Sequence, residues 1–273
     1  MKISYGITVH NEADELNELL EILIHQTEPE DEIVICDDYS NEETKEVITS
    51  WTQQYADAKV IKHYERKLDG DFSAQKNSVI ENSTGDYIFH IDADEYPNEK
   101  LLLNLKLILE VNDVDLIWIP RVNTVEGITD EHIQKWGWRV SEKGWVNYPD
   151  YQARVFRNDK SVRWTRPLHE YITGCKPSAH LPPQEELSLY HPKTKEKQEA
   201  QNKFYMDNFS RDLLVRDGVK KKFKPISLEY FLNMEVASGG ISKTILNRND
   251  KLKTVRDIVE FYSKEENINP LFD

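Results

Sequence analysis

From residue 3 to about 119, short apolar runs rich in β-branched and aromatic residues alternate with helix-length amphipathic stretches. That alternation predicts a parallel sheet with crossover helices. The runs are ISYGITV, EIVIC, KVIKH, YIFHI and DLIWI. Between the first two, Leu16, Leu19, Leu20 and Leu23 repeat at i, i+3, i+4, i+7, which draws one apolar stripe along a helix with Asp14 as its candidate cap. The next helix is expected to start in a capping box, because Ser40 is followed three residues later by Glu43. The first half is therefore α/β.

After about residue 120 the alternation stops. Trp136, Trp138, Trp145 and Trp164 crowd a polar, loop-rich stretch whose strand candidates are QARVFR and SLYH. Aromatic rings stack on the apolar faces of sugars and bases and also fill cores, and the sequence leaves both readings open. From about 194 helical patterns dominate: TKEKQEAQNKFYMDNFSRDLLV, ISLEYFLNMEV and ISKTILNRNDKLKTVRDIVEFYSK. This tail could cover the sheet or form a homo-oligomer contact.

Composition narrows the class. Hydrophobic residues make up 38% of the chain and no apolar run approaches the roughly 20 residues that cross a bilayer. The start MKISYGITVH reads as a strand rather than a signal peptide, so a cytoplasmic location is the expectation. Cys36 and Cys175 match neither a disulfide framework nor a zinc spacing and read as packing residues. A net charge of −14 argues against nucleic-acid binding. The basic VKKKFK at residues 219 to 224 leaves docking to a phosphate, an acidic surface or a membrane surface open.

The stretch HIDADEYPNEK puts Asp92, Asp94 and Glu95 at the mouth of a buried-strand pattern. Carboxylates that close repel and lose hydration, so they imply a positive partner. An EF-hand fails on detail, with Tyr96 at the fifth position, Pro97 at the sixth and Leu103 at the twelfth. The zinc-protease motif fails because His169-Glu170 is followed by Tyr171, Ile172 and Thr173. A nucleotide-diphosphate site fits better, since ligands of open α/β sheets bind beyond the carboxyl ends of strands. Thr8-Val9-His10-Asn11-Glu12, Asp37-Asp38 and Asp92-Ala93-Asp94 all stand at such ends. A divalent cation bridging the Asp pair to phosphate would supply the positive charge.

ITVHNE, then EIVICDDYSNEET, DFSAQKNSVIENSTGDYIFHIDADE and a downstream RPLHE resemble the family 2 glycosyltransferases. The resemblance covers the first 120 residues and extends more loosely to about 191. It implies a GT-A fold, a Rossmann-like sheet with an appended C-terminal helical region. The expected parts are a nucleotide-sugar-binding α/β half (1–120), an acceptor-side half of the same catalytic domain (121–192) and the helical region (193–273).

The resemblance also implies roles. Thr8, His10, Asn11 and Glu12 would lie near base and ribose, Asp38 would accept from the base edge, and Asp71 would reach the base. Lys76 of the Lys76-Asn77 pair would hold diphosphate charge, against the bland reading of a solvated helix face. In Asp92-Ala93-Asp94 the first carboxylate would face the ribose or the metal's water and the second would bind Mn2+ or Mg2+, with His191 as a further ligand. An inverting transferase needs a carboxylate to deprotonate the acceptor hydroxyl, and Glu170 and Asp150 are the two candidates. Arg154 and Arg166 would hold diphosphate or an anionic acceptor, or serve as ion-pair partners.

The expected activity is sugar transfer from a nucleotide-diphosphate sugar, a UDP-sugar first and a GDP-sugar second, to a saccharide, lipid-linked glycan or protein hydroxyl. One competitor is a sugar nucleotidyltransferase, disfavoured because Asn11-Glu12-Ala13-Asp14 stands where a glycine-rich loop belongs. The other is a non-catalytic nucleotide-sugar or glycan-binding protein on the same fold.

Overall fold

A computed structural model of the protein describes residues 1–57, 60–214 and 224–225. In chain order the elements are β1 (Ile3–Val9), α1 (Ala13–Gln26), β2 (Glu32–Asp37), α2 (Glu42–Gln54), β3 (Val60–Glu65), α3 (Phe72–Asn82), β4 (Tyr87–Asp92), β5 (Tyr96–Pro97) and α4 (Glu99–Val111). There follow β6 (Leu116–Glu126), α5 (Asp130–Trp136), β7 (Val146–Arg157), β8 (Arg163–Thr165), β9 (Tyr171–Thr173), β10 (Ser178–His180), β11 (Leu189–Thr194), α6 (Lys195–Asn208), α7 (Arg211–Leu214) and β12 (Lys224–Pro225).

One mixed sheet runs in the order β12-β10-β6-β7-β4-β1-β2-β3, with β11 beside the distal half of β6 and β5 beside β11. β3, β2, β1 and β4 are mutually parallel, and β7 enters antiparallel between β4 and β6. The central strands are buried on both faces, which is why they read as continuous apolar runs. On one face the predicted stripe Leu16, Leu19, Leu20 and Leu23 is fully buried against Ile3, Tyr5 and Ile7 together with Leu101, Leu105 and Ile108 of α4. On the other face α3 packs unusually close, because a Cβ on Gly6 would meet Val79 Cγ1 at 2.3 Å. Only glycine lets that helix and β1 approach so near.

Two capping expectations are corrected. α1 begins at Glu12 without a side-chain cap, and Asp14 lies inside its first turn. α2 is capped by Asn41, whose side chain accepts from Thr44 N, while Ser40 accepts from Asn11 N and donates its own N–H to Asp37. Asn41 sits one residue nearer the helix, so its carbonyl oxygen reaches the free amide first. The two short strand candidates are longer than expected: QARVFR is the end of the twelve-residue β7, and the last three residues of SLYH open the six-residue β11. Cys36 is buried and Cys175 half-buried, both as free thiols packed among apolar neighbours. No described helix is long and apolar enough to cross a membrane. Most of VKKKFK and the helix patterns after residue 215 lie outside the described residues.

Glu32 pins the amino ends of the sheet. Its carboxylate accepts from Ser4 Oγ (2.6 Å), Thr84 N (2.6 Å) and Thr84 Oγ1 (2.8 Å), with Lys2 and Lys62 Nζ at 2.9 and 3.0 Å. Burial raises its pKa, but those donors outweigh burial and hold it near about 2. A carboxyl with a depressed folded-state pKa stabilises the fold above its unfolded value and loses that contribution as pH falls. Glu32→Gln is therefore expected to cost about 2–3 kcal/mol at pH 7. The gap from the parent should narrow between about pH 4.5 and pH 2 in urea titrations; a pH-independent gap would contradict this account.

Candidate active site

The strand ends named from sequence do converge. Thr8 Oγ1 donates to Asp92 Oδ1 at 3.2 Å, and Ala93 N donates to Thr8 O at 3.1 Å, so β1 and the turn after β4 are one unit. Asn11, in the left-handed region (φ 56°), accepts through Oδ1 from Asn41 N at 2.7 Å and knits the ends of β1 and β2. Asp38 Oδ1 accepts from Leu68 N at 2.7 Å, and His10 Nδ1 lies 2.9 Å from Asp38 O. Asp71 is the N-cap of α3, accepting from Ala74 N and Ser73 Oγ.

The positive partner of the acidic cluster is largely internal. Arg154 Nη2 donates to Asp92 Oδ2 (2.7 Å) and to Glu95 Oε1 (2.6 Å). Arg121 Nη1 donates to the same Glu95 oxygen (2.7 Å), and its Nε and Nη2 fork onto Asp150 Oδ2 (3.1 and 2.6 Å). Asn123 Nδ2 and Gln152 Nε2 complete the shell of Asp150 at 3.0 and 2.9 Å. Glu95 and Arg154 are 0% and 3% exposed, so this is a buried ion network. Burial would raise the Asp92 pKa, but Arg154 and Lys76 hold it well below the usual carboxylate range. Beneath it, His90 is fully buried with Nε2 3.4 Å from Asp92 Oδ1, and desolvation pushes its pKa down to about 4.

Asp94 belongs to a different neighbourhood. Its Oδ2 lies 3.4 Å from His191 Nε2, 3.3 Å from Lys197 Nζ and 3.8 Å from Lys193 Nζ. These cations and the histidine outweigh the raising effect of burial and lower its pKa. Burial and the Asp94 charge, in turn, push the Glu12 carboxyl up to about 7 despite Lys197 at 3.1 Å.

His191 is held by Asn123 with its second nitrogen toward Asp94. Asn123 commits its amide nitrogen to Asp150, so its oxygen, 2.7 Å from His191 Nδ1, must accept from that nitrogen. Nε2 then faces the Asp94 carboxylate at 3.4 Å, donating to it when the ring is protonated and presenting a lone pair when the ring is neutral. Among the described residues no three His, Cys, Asp or Glu side chains gather around one point. A carboxylate and an imidazole could hold a divalent cation that keeps waters and takes its other ligands from phosphate; the nitrogen suits Mn2+ better than Mg2+, which takes oxygen ligands.

Lys76 is not a solvated helix residue: it is 6% exposed, ion-paired with Glu170, 3.9 Å from Asp92 Oδ1 and 4.8 Å from the centre of the Trp164 ring. Its ammonium outweighs burial and lowers the Glu170 pKa. The loop carrying Glu170 holds two non-glycine residues at positive φ, Arg166 (77°) and His169 (53°). Such strain persists only where surrounding contacts impose it. Here Phe72 N donates to Pro167 O at 2.9 Å, and Asn77 bonds both ways to the Trp164 backbone at 2.9 Å. Arg166 donates to the carbonyls of Asp212 and Leu213.

Sequence reasoning passed over Arg121, His90, Lys193 and Lys197. A histidine inside the apolar YIFHI and an arginine inside a strand were readable signals; the lysines, two and six residues beyond His191, carried none. The tryptophans divide, with Trp118 and Trp164 in the core and Trp136, Trp138 and Trp145 half-buried on the excursion between β6 and β7.

Comparison with known proteins bears on the family and the fold. The sequence model described as glycosyl transferase family 2 matches residues 4–178. Over 119 residues, 42% of this chain, the protein is 32% identical to a poly(ribitol-phosphate) beta-glucosyltransferase of Bacillus spizizenii, and over 128 residues, 46% of this chain, 28% identical to the glycosyltransferase SunS of Bacillus subtilis. These matches span 18% and 28% of the two relatives. Residues 1–349 of S. aureus TarS, crystallised in complex with UDP-GlcNAc, share the fold with a TM-score of 0.51 at 17% identity, over 70% of this chain and 58% of that one.

Arg154 neutralises two carboxylates, so Arg154→Met should leave buried charge unpaired and cost about 3–5 kcal/mol in chemical denaturation. A loss below about 1 kcal/mol would mean that the network is not what holds the Asp92 turn.

Proposed function

The chain belongs to glycosyl transferase family 2, and on that premise we propose that it transfers a sugar from a nucleotide-diphosphate donor to a hydroxyl acceptor by a single inverting displacement. The observation that carries this reading is the pairing of Asp94 Oδ2 with His191 Nε2, 3.4 Å apart, at the carboxyl ends of the sheet. Asp94 and His191 would hold Mg2+ or Mn2+, which when bound offsets charge on the departing diphosphate. Thr8, His10, Asn11, Glu12 and Asp38 form the wall assigned to base and ribose, with a UDP-sugar the first donor to test and a GDP-sugar the second.

Of the two base candidates the geometry favours Glu170. Both carboxylate oxygens of Asp150 accept from Arg121, Asn123 and Gln152, which makes it a brace for Arg121 and His191. Lys76 holds Glu170 through one oxygen, Oε1, and keeps it ionised, ready to take a proton from an acceptor hydroxyl. The same ammonium faces Asp92, so the proposed base and the donor-side carboxylate share one cation. The acceptor belongs to the side of β7, the β8–β9 loop and the half-buried tryptophans. A cytoplasmic, soluble setting is part of the same reading.

Two variants test it. In thermal shift, UDP at a hundredfold excess over its Kd should stabilise the parent by about 2.7 kcal/mol in Mn2+. Asp94→Asn should lose the manganese-dependent part. Glu170→Gln should keep donor binding and lose about 10²–10⁴-fold in transfer. Full transfer by Glu170→Gln would remove that residue as the base, and no stabilisation by any nucleoside diphosphate would favour a non-catalytic binding protein.

A further inference from the structure

α6 begins at the acidic pocket and is held there by charge. Lys197 Nζ lies 3.1 Å from Glu12 Oε1, 3.0 Å from Glu15 Oε1 and 3.3 Å from Asp94 Oδ2, acids supplied by the start of α1, its first turn and the turn after β4. No residue of α6 is buried. Its other ties among the described residues include an approach of His132 Nε2 to Glu199 Oε1 at 3.5 Å, a Lys193–Gln201 hydrogen bond of 3.0 Å, and ring contacts of Tyr205 with Phe72 and His169. Lys197 therefore stands on the one Asp94 oxygen toward which His191, nine-tenths buried with its other nitrogen already committed, aims Nε2.

We propose that Lys197 is a donor-site residue with two alternating partners: it is the resident counter-ion of Glu12, Glu15 and Asp94 in the free protein, and it passes to the donor diphosphate when a divalent cation takes Asp94. This rests on the metal-assisted reading above. The reason is electrostatic: a cation on Asp94 Oδ2 repels an ammonium 3.3 Å away and also brings phosphate oxygens within that ammonium's reach. A flexible four-carbon stem lets the charge move with little rearrangement of the backbone. Lys193, 3.8 Å from the same oxygen, is tied to Gln201 and stays as the fixed positive wall.

Calorimetry on the full chain separates this exchange from a structural role, because it predicts effects of opposite sign on two ligands. Lys197→Gln should bind Mn2+ alone about five- to tenfold more tightly than the parent and, in saturating Mn2+, bind UDP about five- to tenfold more weakly. Lys197→Arg keeps the charge and should restore UDP affinity, which guards against a folding defect in the first variant. Weakening of both ligands by Lys197→Gln would make the residue structural and overturn the proposal. Strengthening of both would make it a mere plug and overturn it equally. If neither chain binds Mn2+ while both bind UDP in chelator, the exchange is wrong and the donor reading stands; if neither ligand binds either chain, both fall.

Discussion

The site depends on Arg154, a guanidinium 3% exposed that touches two carboxylates of the turn after β4. Taking such groups from water costs several kcal/mol per ion, and the cost is recovered only when every charge has a partner in good geometry. Arg121 supplies the second half of the answer. Across the β6–β7 ladder it stands opposite Asp150, with a register shift just beyond, so its fork grips Asp150 while another nitrogen reaches Glu95. The turn that carries Asp92-Ala93-Asp94 is thereby fastened to β6 and β7, at Arg121 and Arg154, 29 and 62 positions further along the chain than Asp92.

That fastening splits the Asp-x-Asp pair into unlike members. Asp92 is fixed by a planar guanidinium and by Thr8, which are directional contacts with little freedom to exchange. Asp94 faces ammonium groups on flexible stems and an imidazole whose Nε2 lies 3.4 Å from it. On the proposed reading a cation entering here would displace mobile charge at Asp94 and leave the Asp92 network intact, with the rigid and the exchangeable contacts on separate side chains.

Much of the α/β half was legible because its signals are local. The Leu16, Leu19, Leu20, Leu23 stripe and the buried strand runs follow from periodicity alone, and the strand-end carboxylates follow from the rule that ligands sit at such ends. What escaped was set by long-range register. Nothing within thirty residues of Asp92 announces that Arg154 is its counter-ion, so Arg154 read as an anion contact or an ion-pair partner of no named acid, and the charge of the cluster was assigned to a metal. The caps failed for a finer reason: Asn41 and Ser40 both can cap, and a one-residue difference in where the helix begins decides between them.

The separation of Asp92 and Glu170 is governed by α3. Gly6 lets the helix sit close on β1, the two hydrogen bonds of Asn77 fasten its middle to Trp164, and Phe72 holds its first turn to the loop at Pro167. Lys76, between those anchors and over the Trp164 ring, has no room to follow solvent and must face both Asp92 and Glu170. A lysine beside asparagine at the start of a helix is thus more than a source of charge. Its neighbour fixes the helix, the helix fixes the ammonium, and the ammonium fixes how far Glu170 stands from Asp92.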